Sequence, residues 1–383
     1  MSLKIETSIP GGNIFIEDIN GFEVRLTRDM RNTEGDWFYW AFKAVFEEVG
    51  QYRFTFTQPD SCSSCGPAVS YDNGRTWEWL GFACVSGRRD VFTYDYDGKR
   101  GPQVIFCVGM QYLPQQLEAF LDRHSGNTVL SRKVLTYSRK NRPVTLLHLE
   151  DHSIQKEKKH IFLSSRHHCC EMMATYALEG ILETALGEDE TGRLFRERYI
   201  IDCVPFADTD GVIEGDQGKN RRPHDHNRDY GEKPIYPEVR AIQSLLSGKK
   251  LFFALDLHCP WLYGTDSNDT IYFPGPEEEY YAEQQKIFSQ MLEKNSPAEA
   301  PHYSRHNIPF GTLWNTKSNY GNNPGGLNCS GWIRKAIQPR FASAIEIAYA
   351  KAGDVDLTTD SVRKLGRAIA ETILEYDDFS AGA

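Results

Sequence analysis

Apolar and polar residues alternate with a period of two near the N-terminus. Phe22, Val24 and Leu26 are interleaved with Glu23 and Arg25, and Tyr52, Phe54 and Phe56 with Arg53 and Thr55. One apolar face at that period predicts half-buried strands. Tyr71-Asp-Asn-Gly74-Arg-Thr-Trp77 carries the Asn-Gly signal of a hairpin turn, and Val91–Tyr96 and Val104–Val108 read as further strands. Short strands joined by polar turns predict a small all-β sandwich over residues 1–108.

From Leu113 the pattern changes. Pro114 to Asp122 reads as a helix with Leu117, Phe120 and Leu121 on one side. Val144–Leu149, Lys159–Ser164, Tyr199–Pro205 and Lys250–Leu257 are short apolar runs of the buried-strand kind. Helical stretches lie between them, at Glu171–Leu186, Pro237–Leu246 and Tyr280–Leu292. Residues 109–383 are therefore predicted to form an α/β domain, a mixed sheet with helices on both faces. Ser361 is expected to cap a last helix that runs to about Leu374, with Val362, Leu365, Ile369 and Ile373 on one stripe. Gly311 to Gly331, rich in Gly and Asn, reads as a long functional loop.

The chain has 383 residues, more than one average domain, and its 40% hydrophobic content provides for a sizeable core. A formal charge of -10 argues against nucleic acid or an anionic membrane surface as the main partner, while leaving room for a locally basic pocket. No run of about 18 apolar residues is present, and Met1 to Asn13 lacks a signal-peptide core. Nine cysteines, an odd number without an export signal, are expected to be reduced thiols in a cytoplasmic protein. Cys62-Ser-Ser-Cys65 stands without a second such pair and reads as a polar loop. Cys169, Cys170 and Cys259 read as packing residues.

Three short stretches hold the candidate chemistry: His168-Cys-Cys-Glu171, Asp256-Leu-His258 and Ala344-Ile-Glu346. Each lies at or just beyond the end of an apolar run, where an open α/β sheet delivers its functional groups. A hydrolytic zinc site needs three protein ligands, typically two His and a carboxylate, with one position left for water. A further carboxylate must take the proton of that water. His167 competes with His168 for the first ligand position. Between the first two stretches, Asn227 and Arg228 of Asp225-His-Asn-Arg228 can fork onto a substrate carboxylate. Metal, water, base and clamp together describe a carboxypeptidase.

These motifs resemble the M14 metallocarboxypeptidases, most closely the cytosolic carboxypeptidase branch and its bacterial relatives. Arg166-His-His168-Cys-Cys-Glu171 matches the Arg-x-His-x-x-Glu of that branch, and Leu178-Glu-Gly180 follows at its offset. Val204-Pro205 with Asp210-Gly-Val-Ile-Glu-Gly215 resembles Asn-Pro-Asp-Gly-Val-Ile-Asn-Gly. Asp225-His-Asn227-Arg228-Asp-Tyr resembles Asp-Leu-Asn-Arg-Gln-Trp, and Asp256-Leu-His258 matches Asp-Leu-His. Trp332 and Ala344-Ile-Glu346 stand where the branch has a Trp and then Thr-Leu-Glu. The resemblance extends over nearly the whole chain. It implies one zinc ion held by His168, Glu171 and His258, with Glu346 as general base and Asn227 and Arg228 on the C-terminal carboxylate of a peptide or protein. An upstream Arg of the family, which supports the oxyanion, falls on Gly218 here. Lys219 or Arg221 is expected to serve instead. Tyr320 is the candidate for the family's mobile tyrosine. The cytosolic branch further implies removal of acidic residues. A zinc amidohydrolase acting on N-acyl amino acids is the nearest alternative, and a catalytically silent binding protein a more distant one.

Overall fold

A computed structural model describes residues 2–262, 268–320 and 326–382. Ten strands fill the first part of the chain: β1 (Leu3–Glu6), β2 (Phe15–Asn20), β3 (Glu23–Thr27), β4 (Ala41–Phe46), β5 (Gly50–Phe56), β6 (Ala68–Ser70), β7 (Glu78–Trp79), β8 (Val85–Ser86), β9 (Val91–Tyr96) and β10 (Gln103–Cys107). They form two five-stranded sheets, ordered β1-β4-β10-β6-β7 and β2-β3-β5-β9-β8. All neighbours are antiparallel except β3 and β5, which run parallel. The apolar residues of the alternating pattern point inward. Val24, Leu26, Tyr52, Phe54, Phe56 and Phe92 meet Phe42, Phe46, Val104 and Phe106 of the other sheet. Aromatic rings pack at centroid distances such as 4.6 Å for Phe54–Phe92 and 5.4 Å for Phe54–Phe106, well within the range of favourable ring contacts.

The Asn73-Gly74 signal does not make a two-residue hairpin. β6 and β7 pair at Ala68↔Trp79 and Val69↔Glu78, so the connection is a wider loop. Asp72 closes it, accepting hydrogen bonds from the backbone N–H groups of Arg75 and Thr76. Asn and Gly supply left-handed conformations inside that loop, at φ 61° and 81°.

The second sheet region follows α1 (Pro114–Arg123). It contains β11 (Leu130–Tyr137), β12 (Pro143–Leu149), β13 (Lys159–Ser165), β14 (Tyr199–Val204), β15 (Leu251–His258) and β16 (Phe341–Glu346), in the order β11-β12-β14-β13-β15-β16. β13, β14, β15 and β16 are parallel, and β11 and β12 join antiparallel. The sheet is mixed, as expected. Its helices are α2 (Met172–Leu186), α3 (Glu190–Arg198), α4 (Thr209–Glu214), α5 (Pro237–Leu246), α6 (Glu279–Asn295), α7 (Lys317–Tyr320), α8 (Cys329–Ala336) and α9 (Thr359–Gly382).

Period two sorts the strand residues between the two helical layers. Ile161 and Leu163 of β13, with Phe253, Leu255 and Leu257 of β15, pack on the side of α2, α6 and α9. Phe162 and Ala254 face the opposite side, against Val239, Ile242 and Leu246 of α5 and Ile333 of α8. The first of these cores is continuous with the interior of the N-terminal sandwich.

Several boundaries differ from the sequence expectation. α9 runs on to Gly382, and its cap is a reciprocal pair. Thr358 Oγ1 accepts from the Ser361 N–H, and Ser361 Oγ accepts from the Thr358 N–H. Thr358 thus takes the capping position expected of Ser361, which stands three residues inside. The described parts of the 311–331 segment hold α7 and the start of α8 rather than loop alone. Among the described residues no helix is long and apolar enough to cross a membrane.

Candidate active site

The carboxyl ends of three neighbouring parallel strands build the site. β13 ends at Ser165 and turns sharply at Arg166, whose φ is 62°. The turn presents His167 and His168, and Glu171 then stands at the N-cap of α2. A carboxylate there is favoured by the unpaired N–H groups and dipole of the helix start. In β15, Asp256 and His258 are two residues apart and so share one face. Parallel register places Ser164 beside Asp256, and His258 beside Glu346 of β16.

Glu171 lies at the centre. His168 Nδ1 is 3.0 Å from its Oε1, and His258 Nδ1 is 2.7 Å from its Oε2. The other nitrogen of each ring faces a further carboxylate: His168 Nε2 is 3.5 Å from Asp225 Oδ1, and His258 Nε2 is 2.8 Å from Asp256 Oδ2. That arrangement, Nδ1 inward and Nε2 on an acid, orients both rings as metal-ligating histidines are oriented.

Ligand atoms of His168, Glu171 and His258 lie within 4.8 Å of one another, and so do those of His167, Asp256 and His258. The two groups differ in what their atoms already do. Both nitrogens of His167 are engaged, Nδ1 with Asp256 at 2.8 Å and Nε2 with the Tyr230 hydroxyl at 2.6 Å, in a fully buried position. His168 retains 9% exposure at the mouth of the site. Two imidazoles and one carboxylate form a donor set that suits zinc.

Electrostatics support a closely packed charge cluster. Burial opposes ionisation of Glu171, but Lys219, His168 and His258 outweigh it and hold its carboxyl well below the usual range. Burial likewise disfavours the charged form of His258, yet Asp256 and Glu171 raise its pKa well above that of a free imidazole. Glu346 behaves differently. Burial raises its pKa, His258 opposes the rise and Glu171 adds to it, for a net upward shift. Its Oε2 is buried without a hydrogen-bond partner. An unpaired carboxylate oxygen with a raised pKa, one strand from the ligand group, has the properties of a proton acceptor.

The two expected cations separate. Lys219 Nζ lies 2.5 Å from Glu171 Oε1. Arg221 points elsewhere, with Nη1 2.7 Å from Asp208 and Nη2 2.9 Å from Asp216. Gly218 explains the register. It has φ +74°, and a Cβ there would lie 2.5 Å from the Cys169 backbone nitrogen. No side chain fits at that position without displacing the Cys169 backbone. Asn227 is positioned by two contacts, its Nδ2 3.2 Å from His258 Nε2 and its Oδ1 accepting from the Cys329 N–H. Arg228 donates to the Asn227 carbonyl at 3.0 Å and lines a cavity of about 1550 Å³ together with Asn328 and Ala344. The side chain of Tyr320 lies outside the described residues.

Sequence reading missed the supporting acids. Asp256 was legible in principle, because the i, i+2 spacing to His258 places both on one face of a strand. Asp225 carried no such signal, since it reaches His168 only through the fold.

No protein-family model matches the chain. In sequence it resembles cytosolic carboxypeptidase 3 of Bos taurus, 24% identical over 343 residues, covering 77% of this chain and 33% of that protein. It also resembles cytosolic carboxypeptidase 2 of Homo sapiens, at 23% identity, covering 98% of this chain and 45% of that one. The chain thus spans between a third and a half of these relatives. Among solved structures, a metallo-carboxypeptidase from Burkholderia cenocepacia superposes with a TM-score of 0.80 at 18% identity, covering 98% of this chain and 99% of that one. A metallo-carboxypeptidase from Pseudomonas aeruginosa gives 0.80 at 19% identity over the same shares. The chain is thus similar in sequence to the cytosolic carboxypeptidases and in fold to bacterial metallo-carboxypeptidases.

Proposed function

We propose that the protein is a zinc-dependent carboxypeptidase that removes the last residue of a peptide or protein. The observation that carries this reading is the convergence of His168 Nδ1, His258 Nδ1 and the Glu171 carboxylate beside the unpartnered Oε2 of Glu346. Bound there, zinc supplies a Lewis acid and lowers the pKa of a water toward neutrality.

The chain's own residues perform the rest. Glu346 accepts a proton from the attacking water at Oε2 and later passes it to the leaving amine. An unpartnered carboxylate oxygen is free to take the proton and to give it back. Lys219 is the cation beside the reacting carbonyl, in place of the arginine that Gly218 excludes. Arg228 and Asn227 receive the terminal carboxylate.

The test is a panel of peptides differing only in the last residue, run with their C-terminally amidated twins and with N-acyl amino acids, with and without a chelator. Cleavage of the free peptides alone, abolished by the chelator, is expected. A charge-assisted fork is worth roughly 1.5–3 kcal/mol, so amidation should lower kcat/KM by about one to two orders of magnitude. Equal cleavage of a peptide and its amidated twin would overturn the exopeptidase reading. Turnover of N-acyl amino acids alone would make the protein an amidohydrolase.

A further inference from the structure

We infer that Trp37, a residue of the N-terminal β domain, is a positioning residue for the catalytic centre, its indole face holding the Lys219 ammonium against Glu171. The inference rests on the reading of Lys219 as the cation at the reacting carbonyl.

The geometry comes from both sides of the ammonium. Lys219 Nζ lies 5.2 Å from the Trp37 ring centroid and 2.5 Å from Glu171 Oε1. A lysine over a Trp face within about 6 Å is attracted by the ring quadrupole, more strongly once water is excluded. The Lys219 side chain is only 13% exposed. The indole is itself fixed in place. Its Nε1 donates to the Glu34 carbonyl at 3.1 Å, and its ring packs at 4.4 Å against Trp261, three residues beyond His258.

A second, independent set of contacts fixes the two backbones that carry these side chains. Gln217 spans the Tyr39 peptide groups, accepting from the Tyr39 N–H and donating to its carbonyl, both at 2.8 Å. At the other end, the Glu34 N–H donates to the Asn220 carbonyl at 3.1 Å, and Arg222 is ion-paired with Glu34. The 34–39 segment therefore lies along the 217–222 segment, with Trp37 opposite Lys219 in the middle. Lysine gains most from such a support. Its ammonium is a point charge on a flexible stem and lacks the planar fork that orients an arginine. Between the Glu171 carboxylate and the Trp37 face, the flexible ammonium is directed by a wall that the β domain provides.

The test uses the full-length protein with Trp37→Leu and Trp37→Phe, each in the wild-type and Lys219→Met backgrounds. Two readouts are needed. The first is the rate at which an amine-acetylating reagent modifies Lys219, followed by peptide mass spectrometry and normalised to the exposed lysines. Trp37→Leu should raise that rate about tenfold, and Trp37→Phe, which keeps a ring, should raise it much less. The second is peptide hydrolysis by the zinc-loaded protein. Trp37→Leu should lower kcat about tenfold with little change in KM, and should cost nothing further in the Lys219→Met background. An unchanged Lys219 labelling rate in Trp37→Leu, or an equal loss of kcat in both backgrounds, would overturn the inference. If wild-type protein cleaves no free-carboxylate peptide, the carboxypeptidase reading fails separately, and the labelling contrast alone decides whether Trp37 holds Lys219.

Discussion

His168 and His258 both turn Nδ1 toward Glu171 because Asp225 and Asp256 engage their other nitrogens, so two acids outside the ligand group decide how the rings face. Asp256 carries the greater share, since it also accepts from Ser164 Oγ and contacts His167. Asp256→Asn is expected to lower zinc affinity about 10–100-fold, as loss of a partner that orients a metal ligand typically does, measurable by competition with a chromophoric chelator. It should also change acid stability. Burial opposes ionisation of Asp256, but His167 and His258 prevail and hold its pKa below the ordinary value. A depressed carboxyl stabilises the fold above the ordinary value of about 3.9, and that stability is lost as pH falls below it. Wild type and Asp256→Asn should therefore differ most near neutrality and converge in acid, which urea unfolding at several pH values would show. Glu346→Gln is the cleaner probe of chemistry. It should bind zinc normally and lose about 10²–10⁴ in kcat, because an amide cannot take a proton. Near-wild-type turnover would assign the base to another residue.

At the scale of elements, the Leu178-Glu-Gly180 triplet has a packing explanation. A Cβ on Gly180 would lie 2.1 Å from the Arg363 carbonyl oxygen, and one on Gly366 2.1 Å from that of Ala177. α2 and α9 therefore cross with their backbones in contact, and Glu179 secures the crossing through Arg363, Arg123 and the Tyr112 hydroxyl. Gly366→Ala should cost about 3 kcal/mol or more, because backbone cannot move aside as a side-chain tip can, and a shift in the denaturant midpoint would measure it. Elements with a clear alternation or a continuous apolar run were legible in the sequence, among them β5, β13 and β15. β11 was not, for its 130–137 residues lie on a sheet edge and are partly exposed throughout, which leaves no apolar face to read. The cap of α9 was misplaced by three residues because Thr358 and Ser361 are both capping types, and only their reciprocal bonding tells which stands outside.

At the scale of the whole molecule, the core on the α2, α6 and α9 side of the sheet is shared with the interior of the N-terminal sandwich. Besides the shared core, the Trp79 indole donates to the Leu357 carbonyl at 2.6 Å, Asn13 donates to the Gly215 carbonyl at 2.7 Å, and the Gly11 N–H reaches the Ile213 carbonyl at 2.9 Å. A chain built this way should unfold in one transition, and residues 109–383 alone should not form a stable enzyme. Two separate calorimetric transitions would contradict this. It is also why the candidate ligands His168, Glu171 and His258 and the candidate base Glu346 could be named from the sequence, but not the surroundings of Lys219. Ligand spacing is local, whereas Trp37 and Lys219 are 182 positions apart (219 − 37) and meet only when both parts are folded. A related consequence concerns Glu346. β16 is the outermost strand of its sheet, and among the described residues its end is tied on the side away from β15 by one bridge, in which Glu346 and Tyr272 exchange backbone hydrogen bonds of 2.8 and 3.0 Å. Local opening at a sheet margin takes less free energy than global unfolding. The Glu346 amide should therefore exchange its hydrogen sooner than that of Leu255 at the sheet's interior, so that the site loosens from the β16 margin first.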